Sequence, residues 1–114
     1  METINVVAAL SALAQQTRLA IFRRLVELGP QGAVAGAIAD AFGLAPATLS
    51  FHLKELNHAD LVVSRQEGRF VRYAANFDTM NALIAYLTEN CCAGEPCGVV
   101  CAPAKSTRRK RSQP

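Results

Sequence analysis

The chain has 114 residues, half of them apolar and 18% charged, with no tryptophan and a formal net charge of +3. That length holds one compact domain and excludes a two-domain enzyme with a nucleotide-binding half; the apolar share excludes a disordered polyelectrolyte. Five of the twelve basic residues (Lys105, Arg108, Arg109, Lys110 and Arg111) lie in the last ten positions, leaving seven basic against nine acidic residues over 1–104, so a nucleic-acid argument must rest on local placement.

Residues 4–14 read as a first helix. It is too short to span a bilayer and lacks the basic flank and cleavage site of a secretory leader, so the cytoplasm, where thiols stay reduced, is the expected compartment. A helix so apolar all round needs cover on more than one side, which in a small chain points to a second subunit. A second helix is predicted from Thr17, a candidate N-cap, to Leu28, with Ile21, Leu25 and Leu28 at helical spacing and Gly29-Pro30 stopping it. A third covers 34–42, with Val34, Ile38 and Phe42 in one stripe and Gly43 as its C-terminal cap. Pro46 then opens a fourth helix to about Ala59, whose buried stripe is Leu49, Leu53 and Leu56. The period next changes to alternation. A strand over 61–65, a turn at Glu67-Gly68 and a return strand over 69–75 make a hairpin. A last helix runs from Phe77 to about Asn90, with Met80, Leu83, Ile84 and Leu87 apolar. From Cys91 the composition turns to Cys, Gly and Pro, and no regular element is expected.

This order predicts a mainly α fold with a small β-hairpin, a winged helix-turn-helix. The leucines of the fourth helix dock on the third, leaving its N-terminal half to project small and polar groups into a major groove. The hairpin offers Arg65, Arg69 and Arg72 to phosphates beside that groove. No nucleophile–base pair, paired-carboxylate site or phosphate-cradling glycine loop marks an enzyme. The chain divides into the winged-helix domain over 1–90, a cysteine-rich metalloid-binding segment over 91–104 and a disordered basic tail over 105–114. The tail is either a solubilising end or a weak, salt-sensitive phosphate contact.

All four cysteines fall within eleven residues: Cys91, Cys92, Cys97 and Cys101. In a reducing compartment such a cluster points to a metal, a metalloid or redox chemistry. Neighbours on a helix point about 100° apart, so Cys91 and Cys92 share one ion only where the helix frays, which Gly94 and Pro96 promote. Ligation by sulfur alone favours a soft, thiophilic centre. Trivalent arsenic, as arsenite, is three-coordinate and suits three sulfurs; antimonite is chemically alike. Cys91 and Cys92 would be joined by Cys97 or Cys101, and Cys97 is favoured because its loop is shorter to close. Two other readings stay open: a soft divalent ion such as cadmium, lead or zinc (zinc using all four sulfurs), and a thiol–disulfide switch.

Three stretches resemble the arsenic-repressor (ArsR/SmtB) family of transcriptional regulators. Residues 13–22, Leu-Ala-Gln-Gln-Thr-Arg-Leu-Ala-Ile-Phe, are similar to its second-helix signature. Residues 48–56 are similar to its recognition helix, and 59–62 with 65–69 to its approach to the wing. The likeness spans roughly residues 5–90. It implies a homodimer paired through the first and last helices, a repressor that binds double-stranded operator DNA and leaves it when a metal or metalloid binds. Carried over by position, the base-reading candidates are Ala47, Thr48, Ser50 and Phe51, with His52 and Lys54 beside them. Phe51 has partial core packing as its other reading, and His52 a structural hydrogen bond within the motif. Asp60 stands where glycine is frequent, and Ala45 where a polar cap is usual. The vicinal cysteine pair followed by a third cysteine resembles the C-terminal arsenite site of some members. The third helix has no cysteine and the last no histidine, so the family's two other sites are missing. The combined expectation is a repressor of an arsenic-resistance operon, with As(III), or Sb(III), as inducer and no organic cofactor. The competing expectation is a cytosolic metal-binding or arsenic-sequestering protein whose helix-turn-helix serves only protein contacts.

Overall fold

The computed structural model describes residues 1–94. Its elements are α1 (Thr3–Leu13), α2 (Gln16–Leu28), β1 (Ala33–Val34), α3 (Ala35–Phe42), α4 (Pro46–His58), β2 (Val62–Glu67), β3 (Phe70–Ala75) and α5 (Phe77–Leu87). This is the expected winged helix-turn-helix, with helix starts and ends close to those read from the periodicity. None of the described helices is long and apolar enough to cross a membrane.

The helix ends are set by local chemistry. Gln15, not Thr17, caps α2: its side-chain oxygen accepts from the Arg18 N–H at 2.8 Å. At the end of α3, Gly43 takes the left-handed conformation at φ 62°, Leu44 N–H bonds Ala39 O at 3.0 Å, and Gly43 N–H bonds Asp40 O at 3.3 Å. The end of α4 repeats that pattern with Asp60 at φ 65°, Leu61 N–H on Leu56 O and Asp60 N–H on Asn57 O, each at 3.0 Å. Both are two-bond helix stops that satisfy terminal carbonyls, and aspartate tolerates the left-handed turn that glycine makes freely. Asn76 caps α5 by accepting from Thr79 N–H at 3.3 Å.

The sheet has a third strand that the sequence does not predict; its second residue, Val34, was expected to open the third helix. β1 pairs with β3 through Ala33↔Tyr73 and Val34↔Arg72, giving the strand order β1-β3-β2. Gly32 makes this possible. Its φ is +56°, and a Cβ there would run into the carbonyl of Tyr73. The hairpin turn lies at Gly68-Arg69, one residue later than predicted, so β2 extends to Glu67 and pairs Glu67↔Phe70 and Arg65↔Arg72.

Ile21, Leu25, Leu49, Leu53, Leu56, Leu61 and Val62 are buried at the centre of the core, where α2, α4 and the start of the wing meet. The predicted stripe of α4 is thus its inner face. The outer helices are different. On α1, Val6, Ala9 and Ala12 face inward while Ile4, Val7 and Leu10 are exposed. On α5 only Leu83 is buried, and Ile84 and Leu87 are exposed. Tyr86 OH and Thr3 Oγ1 lie 2.7 Å apart, tying α5 to the start of α1.

Candidate nucleic-acid interface

Packing the leucine face of α4 against the core turns its opposite face outward. Ala47, Thr48, Ser50, Phe51 and Lys54 are all exposed, Phe51 to 55%. Pro46 opens the helix, Ala45 offers no side-chain cap, and the first turn carries no acidic group. The positive end of the helix dipole and its unsatisfied N–H groups therefore stand open to an anion. Small residues at 47 and 50 keep the helix slim where it would enter a groove.

His52 does not belong to that face. It is 9% exposed, and its Nδ1 lies 3.4 Å from Nη1 of Arg18. Arg18 Nε also donates to the Ala12 carbonyl at 2.8 Å, near the end of α1. One half-buried guanidinium thus bridges α1, α2 and the inner side of α4. The sequence-level alternative for His52, a structural hydrogen bond, is the one this geometry matches; the placement on helix α4 that withdraws it from solvent also withdraws it from bases. The His52 ring does meet Phe51 edge-on, with centroids 5.6 Å apart, and so backs one residue of the exposed face.

The three wing arginines are not equivalent. Arg65 Nε donates to Glu67 Oε2 at 3.0 Å, and Arg72 Nε donates to Glu67 Oε1 at 3.0 Å. Arg72 Nη1 also donates to the Gln31 carbonyl at 3.1 Å. One carboxylate thus pairs with both Arg65 and Arg72, leaving Arg65 well exposed and Arg72 more enclosed. Arg69, at the turn, is exposed and makes no side-chain hydrogen bond or ion pair among the described residues. Bonds from Arg72 first and Arg65 second hold the Glu67 carboxyl below the usual glutamate range. Phe70 and Val63 add exposed apolar surface to the wing.

The cysteines sit beyond the last helix. α5 stops at Leu87, short of the predicted Asn90, with Thr88 Oγ1 donating to the Ile84 carbonyl at 2.8 Å. Cys91–Gly94 is then kinked rather than regularly helical, as Cys92 and Ala93 take left-handed φ values of 54° and 52°. Cys91 is half-buried and Cys92 exposed. The backbone between the two cysteines is thus not that of a continuous α-helix. Cys97, Cys101 and the basic tail lie outside the described residues. Among the described residues no three His, Cys, Asp or Glu side chains gather into a metal site. A three-sulfur site would therefore need a thiol from beyond residue 94.

Sequence logic missed two groups here, Arg18 and Glu67. No local signal singles out Arg18 on its helix, and the expected turn takes in Glu67.

A helix-turn-helix domain family model matches residues 13–65. No curated protein matches. Several solved structures are similar. An ArsR-like transcriptional regulator from Rhodococcus sp. RHA1 is 28% identical over 80% of this chain and 82% of that one, with a TM-score of 0.65. NolR from Sinorhizobium fredii is 30% identical over 75% and 82%, with a TM-score of 0.60. The homodimeric winged helix-turn-helix DNA-binding domain of Mb0332 from Mycobacterium bovis, a possible ArsR-family regulator, is 29% identical over 75% and 80%, with a TM-score of 0.61.

Proposed function

We propose, since this chain belongs to the ArsR family of winged helix-turn-helix, DNA-binding transcriptional regulators and is not an enzyme, that it is a homodimeric repressor released from its operator by arsenite or antimonite. The observation that carries the inducer reading is the position of the adjacent Cys91 and Cys92 outside the regular helix, four and five residues past the end of α5, with Cys92 in the left-handed region. Sulfur donors without nitrogen or carboxylate partners suit a soft, three-coordinate centre. Cys91, Cys92 and a third thiolate, Cys97 or Cys101, would hold it.

The exposed apolar residues Ile4, Val7 and Leu10 of α1 and Ile84 and Leu87 of α5 supply a surface for a second copy. The Mb0332 domain, of similar fold, is homodimeric. In such a dimer two α4 helices would face two half-sites about one DNA turn apart. Ala47, Thr48, Ser50 and Phe51 would read base edges, and Lys54 and Arg69 would meet phosphates. Drawing the segment after α5 around an ion changes how that helix meets its partner copy, and through it the spacing of the two α4 helices. A coupling of about 1–3 kcal/mol lowers DNA affinity some 5- to 150-fold.

The test is release of labelled upstream DNA in reducing buffer, titrated separately with arsenite, antimonite, zinc and cadmium, with a fifth titration by a thiol oxidant. Release by the two metalloids alone is expected. Release by zinc or cadmium but not arsenite assigns a divalent-metal sensor, and release by the oxidant alone assigns a thiol switch. Failure to bind DNA under any of these conditions would favour a sequestering role.

A further inference from the structure

Glu67 ends strand β2, with Arg65 two residues before it on the same face and Arg72 directly across from Arg65 on β3. Two guanidinium groups opposed across an antiparallel pair repel each other. Glu67 answers both, one carboxylate oxygen to each, at 3.0 Å in either case. A DNA phosphate approaching Arg65 or Arg72 meets that carboxylate as a competing anion already on the Nε–H of each guanidinium. Arg69, two residues further round the turn, faces no such competitor among the described residues.

We propose that Glu67 is a built-in rival of DNA phosphate: its one negative charge, shared by Arg65 and Arg72, offsets one of their two positive charges, so that each wing, with Arg69, brings a net charge of two to the DNA backbone in place of three. The inference rests on the reading of the wing as a DNA-contacting element. Its consequence is electrostatic. Each phosphate neutralised on duplex DNA steepens the dependence of log affinity on log salt by about 0.9, so the one charge that Glu67 offsets removes about 0.9 from the slope per wing. The wing then adds less sequence-independent affinity than its three arginines would give, which leaves more of the discrimination to the exposed face of α4.

The test is the E67Q variant, which keeps the side-chain shape and removes the charge. Binding of a labelled non-specific duplex is followed by anisotropy from 50 to 200 mM salt, with circular dichroism and melting confirming the fold. E67Q is expected to bind more tightly at low salt. Its advantage should shrink about 3.5-fold per wing over that fourfold range. In a double-mutant cycle, R65A and R72A should each flatten the slope by about 0.9 per wing in the E67Q background, and by less when Glu67 is present. R69A should flatten the slope of the parent protein by about one unit per wing. If R69A flattens the slope while E67Q leaves it unchanged, the wing touches DNA but Glu67 is no rival, and the inference is wrong. Equal effects of R65A and R72A with and without Glu67 overturn it as well. If neither R69A nor E67Q moves the slope, the wing does not meet the backbone, and the inference falls together with the reading beneath it.

Discussion

Replacing Arg18 with methionine removes the guanidinium that joins three helices while keeping most of the side chain's apolar volume. The wild-type group donates to the Ala12 carbonyl at 2.8 Å and lies 3.4 Å from His52 Nδ1. The first is a charge-assisted bond to a carbonyl at a helix end, worth about 1.5–3 kcal/mol. The second is long and adds little. The backbone bond from Arg18 N–H to Gln15 does not depend on the side chain and survives. The expected loss is about 2 kcal/mol, or a melting point lower by about 10 °C for a domain of this size. Urea unfolding at one fixed protomer concentration measures it, because dimer dissociation would otherwise shift the midpoint. His52→Phe, which keeps a ring at that place, should cost much less. A loss below about 0.5 kcal/mol for Arg18→Met, at unchanged denaturant sensitivity, would refute the view that Arg18 holds α1 to α4.

Other changes probe other parts of the molecule. Gly32→Ala should cost about 3 kcal/mol or more, because the new Cβ meets the Tyr73 carbonyl in a left-handed backbone; a melting curve like the parent's would show that β1 can move aside. Thr48→Ala and Ser50→Ala should each weaken operator binding by about 1–3 kcal/mol with the fold intact, and reduce discrimination against mismatched operators. The Glu67 carboxyl is depressed in the folded protein. Its pairs therefore support the fold fully above the unfolded glutamate pKa of about 4.3 and lose that contribution as pH falls through the lower folded value. An NMR titration of its carboxyl carbon should place the midpoint below about 4.3 and show no change between pH 5 and 8; a midpoint above the unfolded value would mean the two ion pairs do not persist in solution.

Much of this molecule could be read from periodicity and punctuation. The three-leucine stripe of α4, the Gly43 stop and the Gly29-Pro30 break all rest on local rules, and each element forms where its local signal lies. What escaped depends on partners distant in sequence. β1 has two residues, and only its pairing to Tyr73 and Arg72 makes it a strand. The wing turn was placed one residue early, which sets Arg72 across from Val63 and leaves Glu67 at the tip. In the true register Arg72 faces Arg65, and Glu67 comes within reach of both. A one-residue error in a turn thus hid an electrostatic cluster, since strand register decides which charges meet. Arg18 was hidden for a similar reason: its partners Ala12 and His52 lie on two other helices. The exposed face of α4 was legible because it is the complement of the leucine stripe, except at His52, where a polar residue sits on the inner side of the helix.

The central claim is that one end of the protein reads DNA while thiols after α5 decide when it lets go. It is tested most directly by Cys91→Ser and Cys92→Ser, each measured for affinity to the labelled upstream DNA with and without arsenite. Serine replaces a soft thiolate with a hard hydroxyl and leaves α4 and the wing untouched. Both variants should bind DNA as the parent does and stay bound when arsenite is added. Of Cys97→Ser and Cys101→Ser, one should match them and the other should respond like the parent. Release of Cys91→Ser and Cys92→Ser at the parent's arsenite concentration would contradict the account.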